Sequence, residues 1–64
     1  MRLGKFMNVF KVEDQVYEVI DRKHQRLGMI TYYKAWNRYV FEGDVGTFYS
    51  WDCLKPLYNF MRDL

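Results

Sequence analysis

The sequence has little of what disulfides, metal sites and membrane spans require. It contains one cysteine, Cys53, and one histidine, His24, so it cannot form an internal disulfide, and a zinc site with four protein ligands is not expected. No apolar run approaches about 18 residues, which argues against a transmembrane helix. The first residues, MRLGKFMNVF, lack the apolar core and the cleavage site of a signal peptide. We therefore expect a cytoplasmic protein without metal, cofactor or membrane contact.

The chain is short, and its 64 residues leave room for a single domain, residues 1–64. A domain of about 60 residues buries only about 60% of its unfolded surface, so its core needs large side chains. Aromatic residues make up 20% of the sequence and meet that need. Such a domain rarely encloses the cavity of about 300 Å³ that active sites use, so we expect neither an enzyme nor a small-molecule substrate.

The first two thirds of the chain have the alternating, β-branched and aromatic character of strands. Strands are expected over residues 5–12, 16–22, 29–36 and 39–42, with a short extended piece at 47–49. The polar segment Glu13-Asp14-Gln15 favours a hairpin turn between the first two strands. Residues 16–22 also fit a helical stripe, but the following segment offers them a strand to pair with.

The end of the chain has the period of an amphipathic helix. A helix that starts just after Asp52, capped by Ser50 or Asp52, places Pro56 at its fourth position, where the missing N–H costs least. The predicted apolar stripe consists of Leu54, Leu57, Tyr58, Met61 and Leu64.

The predicted fold class is therefore α+β, a small antiparallel sheet of three to five strands packed against one C-terminal helix. The core is expected to contain large apolar residues from both layers. They are Phe10, Val19, Ile20, Ile30, Tyr32, Val40, Phe41, Leu54, Leu57, Tyr58 and Met61.

A basic and aromatic segment, residues 22–39, is the strongest candidate for a binding site. Residues 22–38 hold five basic residues and no acidic one, whereas the rest of the chain holds five basic and eight acidic residues. Proteins that bind single strands combine cations that neutralise phosphates with rings that stack on bases. The candidate binding residues are Arg22, Lys23, Arg26, Tyr33, Lys34, Trp36 and Arg38. The alternative is that the rings serve the core and the cations are merely solvated.

No catalytic, cofactor-binding or metal-ligating residue is assigned. His24 and Cys53 have no third residue that would orient a nucleophile and its base. Gly43 and Gly46 lack the Gly-Lys-Ser/Thr run of a phosphate-binding loop, and their neighbour Asp44 is typical of a turn.

Part of the chain resembles a known group of proteins. Gly28-x-Ile30, the W-x-x-Y-x-F run of residues 36–41, Thr47 and the C-L-x-x-L-x-x-F run of residues 53–60 carry the resemblance. The group consists of very short, mostly uncharacterised proteins encoded in phage, prophage and bacterial genomes. The resemblance spans residues 27–63. It implies a strand-rich domain with a terminal helix and a phage setting, and it implies no activity.

The expected function is that of a non-enzymatic protein-interaction module, which binds a host protein or a second copy of itself. A helix covers one face of a sheet and leaves the other open, where Tyr17, Met29 or Tyr33 would form an apolar patch. An exposed edge strand would offer a second route to a protein partner. The alternative function is a nucleic-acid-binding domain that uses residues 22–39.

Overall fold

The computed structural model describes all 64 residues as one antiparallel sheet crossed by one helix. The strands are β1 (Arg2–Leu3), β2 (Met7–Glu13), β3 (Val16–Asp21), β4 (Arg26–Tyr33) and β5 (Arg38–Gly43), and the helix α1 spans Trp51–Arg62. Each strand pairs with its neighbour in the chain, so the sheet order is β1-β2-β3-β4-β5. The predicted α+β fold class, with an antiparallel sheet and a single C-terminal helix, is confirmed.

Three non-glycine residues in the left-handed region lie in the turns that join β2 to β3, β3 to β4 and β4 to β5. Gln15, His24 and Asn37 have φ angles of 61°, 67° and 52°. This region suits tight turns between twisted strands. In the β3–β4 turn, the Asp21 carboxylate also accepts hydrogen bonds from the backbone N–H groups of Lys23 (2.8 Å) and Gln25 (2.9 Å). Local turn chemistry thus folds the chain back on itself at each strand end.

The core lies between α1 and one face of the sheet. Its fully buried members come from four strands and the helix: Leu3, Met7, Val9, Val19, Ile30 and Leu57. Tyr17 covers one side of this cluster, where its ring meets the Phe60 ring edge-to-face at 5.5 Å between centroids. Aromatic side chains thus fill the space between the sheet and the helix, as the composition requires.

Two strand predictions need correction. β4 begins and ends three residues before the predicted 29–36, because residues 34–37 form the turn. Within that turn, Trp36 N–H and Asn37 N–H bond to the carbonyls of Tyr33 (3.2 Å) and Lys34 (3.1 Å). Residues 47–49 are not a strand, and the two-residue strand β1 was not predicted.

The helix also differs from its prediction. It starts at Trp51, so Pro56 is the sixth helical residue and not the fourth. Ser50 is the N-cap residue, but its hydroxyl donates to the Asp52 carboxylate and caps no backbone N–H. The Pro56 ring lies against Gly4, where a Cβ atom would come within 2.8 Å of the proline Cγ. Only glycine leaves room for this close approach.

The buried stripe of α1 is rotated from the predicted one. The side chains packed toward the core are Cys53, Leu57, Phe60 and Met61. Leu54, Tyr58 and Leu64 are exposed, so their assignment to the buried stripe is wrong. Both sets fit the helical period, and the edge-to-face contact of Tyr17 with Phe60 accompanies the observed rotation.

Strand alternation explains the remaining error in the predicted core. Met7 and Val9 of β2 face α1, so Phe10 faces the other way and is exposed. Val40 is likewise on the opposite face from Phe41, where it is half-buried. The prediction placed Val40 and Phe41 in one core, although adjacent residues of a strand face opposite sides of the sheet.

The face of the sheet away from α1 is open and mixed in character. Phe10, Glu18, Met29 and Glu42 are register partners on four neighbouring strands and form one line across it. The sequence suggested Tyr17, Met29 or Tyr33 for the open face. Met29 and Tyr33 lie on it, whereas Tyr17 lies under the helix. Along this line the two carboxylates alternate with the two apolar side chains.

Candidate interaction surfaces

Five large apolar side chains of α1 and the loop that precedes it are exposed. Trp51, Leu54 and Tyr58 follow one helical stripe, and Val45 and Phe48 come from the loop between β5 and α1. The side chains of Phe48 and Trp51 are 92% and 77% exposed. We call these five residues the outer surface. Such a concentration of exposed aromatic rings is unusual on a monomeric protein.

Hydrogen bonds hold the loop that carries Phe48 in place. Asp44 N–H donates to the Leu27 carbonyl at 2.8 Å, and the Thr47 hydroxyl donates to the Asp44 carbonyl at 2.7 Å. Tyr49 turns inward and packs edge-to-face on Phe41, with ring centroids 5.2 Å apart. Because both neighbours of Phe48 are anchored, the fold of the loop itself places Phe48 at the surface.

Two cations border the outer surface. Lys55 and Arg62 each lie one helical turn beyond an aromatic residue, Trp51 and Tyr58 respectively. The Arg62 guanidinium lies 5.5 Å from the centroid of the Tyr58 ring. Its pKa is raised, chiefly by the hydrogen bond that it donates to the neighbouring Asp63 carboxylate. The surface is therefore apolar at its centre and positive along one side.

The structure separates the candidate binding residues of the segment 22–39 into two groups. Strand β4 has eight residues, which corresponds to a length of roughly 26 Å. Arg22, Lys23 and Arg26 lie at its start, whereas Tyr33, Lys34, Trp36 and Arg38 lie at its end. The sequence-predicted site is thus two sites, at opposite ends of the sheet.

The group at the start of β4 is partly neutralised. Arg26 forms a bidentate ion pair with Asp44, with Nε–Oδ2 and Nη2–Oδ1 distances of 3.0 and 3.2 Å. The hydrogen bond to Asp44, followed by the Coulomb attraction of the same carboxylate, raises the pKa of Arg26. Arg22 and Lys23 are exposed in the adjoining turn. Arg26 therefore fastens the loop after β5 and is engaged within the protein.

The group at the end of β4 borders a groove of about 510 Å³ between the β4–β5 hairpin and the C-terminal part of α1. Its walls include three tyrosines and two arginines, Tyr32, Tyr39, Tyr58, Arg38 and Arg62, and we call it the tip groove. No aspartate or glutamate side chain lines it. In the adjoining β4–β5 turn, the Trp36 ring packs edge-to-face on Tyr33, a residue of the open face, at 5.1 Å and is 64% exposed.

The sequence did not predict the residues that α1 contributes to the outer surface and to the tip groove. Tyr58 and Leu54 were assigned to the core, and Arg62 was not singled out. The available signal was the second stripe on the helix, Trp51-Leu54-Tyr58, whose spacing fits an exposed apolar face as well as a buried one. Val45 and Phe48 gave no signal, because isolated apolar residues in a loop have no period.

The candidate nucleophile Cys53 and candidate base His24 lie on different elements. His24 lies in the exposed β3–β4 turn, whereas Cys53 is half-buried in the first turn of α1, and no hydrogen bond joins them. The structure contains no cluster of three or more His, Cys, Asp and Glu side chains that could bind a metal ion. No helix in it has the length and apolar character needed to cross a bilayer.

Comparison of the chain with protein-family models, curated proteins and solved structures finds no match.

Proposed function

We propose that this chain is a non-enzymatic protein-interaction module that binds its partner through the outer surface. The observation that carries the proposal is the exposure of Trp51, Leu54 and Tyr58 along one stripe of α1, with Val45 and Phe48 exposed in the loop that precedes the helix. Aromatic residues, tryptophan and tyrosine above all, dominate the energetic centres of protein interfaces. Burial of these apolar side chains against a partner would remove them from water and so stabilise the complex.

The preformed loop supports binding with little loss of flexibility. Asp44, Thr47 and Tyr49 hold the loop by hydrogen bonds to backbone carbonyls, so the backbone at Phe48 is preordered. A preordered loop loses less conformational entropy on binding than a mobile one. The outer surface therefore presents aromatic side chains on an ordered backbone.

The charge of the border indicates the chemistry of the partner. Lys55 and Arg62 lie beside the apolar stripe, and both are exposed. A complementary protein would present an apolar depression for Phe48 and Trp51 with carboxylates along one edge. The resemblance of residues 27–63 to short phage-encoded proteins agrees with this proposal, since small phage proteins often act by occupying a surface of a host protein. A second copy of the chain is the other partner to be tested.

Site-specific photo-cross-linking tests the proposal. A photoreactive phenylalanine analogue at position 48 should form one dominant cross-linked product in the cells that express the chain. Sedimentation of the purified protein shows whether that partner is a second copy. Trp51→Ser should abolish the cross-link, whereas Trp36→Ser, which removes an exposed tryptophan elsewhere, should leave it unchanged. Absence of both a cross-link and self-association, or equal loss in the two variants, would contradict the proposal.

A further inference from the structure

We propose that the tip groove binds single-stranded nucleic acid, with Arg38 and Arg62 contacting phosphates and Trp36 and Tyr58 stacking on bases. This proposal does not rest on the protein partner proposed above, although Tyr58 and Arg62 belong to both surfaces. It is also not the basic segment as a whole, because it takes only the end of that segment and adds residues of α1. The charge of the groove, its aromatic walls and the exposed Trp36 ring in the adjoining turn support the proposal.

The two arginines face the groove from different elements. Arg38 begins β5 and Arg62 ends α1, and both line the groove. Guanidinium groups present several N–H donors in a planar fork that matches phosphate oxygens. Because no aspartate or glutamate side chain lines the groove, its side-chain charge is positive. An anion therefore finds two donors there and no acidic side chain in the wall.

Aromatic rings extend from the groove to the surface. Tyr32 and Tyr39 pack edge-to-face at 5.4 Å and line it, and Tyr58 lines it from the helix. Trp36, on the neighbouring turn, is exposed and braced by Tyr33. Each base that stacks on such a ring contributes about 1–3 kcal/mol to binding. Because stacking needs an unpaired base, the rings favour a single strand over a duplex.

Lys34 adds a third cation at the same end of the sheet, in the turn that carries Trp36. The nearest opposing charge is Asp63, whose Oδ1 lies 3.2 Å from Arg62 Nε. This ion pair is exposed, and a phosphate would compete with Asp63 for the guanidinium. Removal of the Asp63 carboxylate should therefore free Arg62 and strengthen the binding of nucleic acid.

The test is a titration of a labelled oligothymidylate of about ten nucleotides, followed by anisotropy and tryptophan fluorescence. The protein carries Trp51→Phe, so that Trp36 is the only tryptophan that reports. Arg38→Gln/Arg62→Gln should weaken binding at least about tenfold and lower the salt slope by about 1.4. Asp63→Asn should strengthen binding, and Trp36 fluorescence should be quenched.

The matched control is Arg22→Gln/Lys23→Gln, which removes the same charge at the opposite end of the sheet. It should change affinity much less than the groove variant. Equal losses in both variants, or no binding at about 50 mM salt, would overturn the proposal. Equally tight binding of the duplex, of thymidine monophosphate or of a glutamate-rich peptide would overturn it too, because each outcome removes the need for an unpaired strand.

Discussion

The Tyr49 hydroxyl donates a hydrogen bond of 2.8 Å to the carbonyl oxygen of Leu27, a residue in the irregular part of β4. The same oxygen accepts a second bond of 2.8 Å from Asp44 N–H. One carbonyl thus holds both ends of the loop that presents Phe48. This arrangement ties the position of the outer surface to a register shift in the sheet, where β3 residues Val19 and Ile20 pair with Gly28 and Arg26.

Replacement of Tyr49 by phenylalanine should lower the free energy of unfolding by about 1 kcal/mol. The loss is modest because the Leu27 carbonyl keeps its bond from Asp44 N–H and the ring keeps its contact with Phe41. Urea denaturation measures the change. Tyr33→Phe is the control, since the Tyr33 hydroxyl makes no hydrogen bond within the protein and its ring is exposed. Identical stability of the two variants would show that the Tyr49 bond contributes nothing.

Gly28→Ala should destabilise the protein by about 3 kcal/mol. A Cβ atom at this buried position would overlap the Glu42 carbonyl oxygen and lie 2.9 Å from Gly43 Cα. Both are backbone atoms of β5, so the strands would have to separate. Gly46→Ala is the comparison, because its φ of 85° is strained for alanine but nothing lies within 4 Å. It should cost about 1 kcal/mol, and thermal denaturation should rank the two in this order.

Leu57→Ala should cost about 3 kcal/mol of stability, because Leu57 is only 1% exposed and its removal leaves a cavity in the core. Leu54→Ala should cost less than about 1 kcal/mol, because that side chain is 51% exposed. Chemical denaturation of the two variants distinguishes the observed rotation of α1 from the one predicted by sequence. Similar losses in both would mean that Leu54 is buried as well.

Amide hydrogen exchange should be slowest in β3 and β4, which pair with long strands on both sides, whereas β2 pairs with only the two residues of β1 on one side. Exchange should be fastest in β1, an edge strand of two residues. Mass spectrometry or NMR under native conditions measures this order. Protection of β1 equal to that of β3 would mean that the N-terminal segment opens only with the whole sheet.

The architecture could be predicted because the strands have local signals. The polar turn at Gln15, the alternation around Ile30 and the helical period near Leu57 all point to their elements without knowledge of distant contacts. Strand β1 has no such signal, since two residues cannot display a period. The end of β4 was misplaced because Lys34 and Trp36 continue the alternation of the strand, although the chain already turns there.

The candidate site was harder to predict, because it depends on which faces meet. The run from Arg22 to Arg38 is continuous in sequence, yet β4 carries its two ends apart. The rotation of α1 depends on contacts such as that of Tyr17 with Phe60, which lie far apart in the chain. The helical period leaves a few choices for the buried face of α1. Only packing against the sheet decides which of them is buried.

The strand order has a consequence for the speed of folding. Since every strand pairs with its neighbour in the chain, each hairpin closes a short loop with little loss of entropy. Most of the sheet can therefore assemble by successive local steps. Docking of α1 against β1, which joins the two ends of the chain, is the step with the largest sequence separation. We expect that contact, around Gly4 and Pro56, to form after the transition state and to affect mainly the unfolding rate.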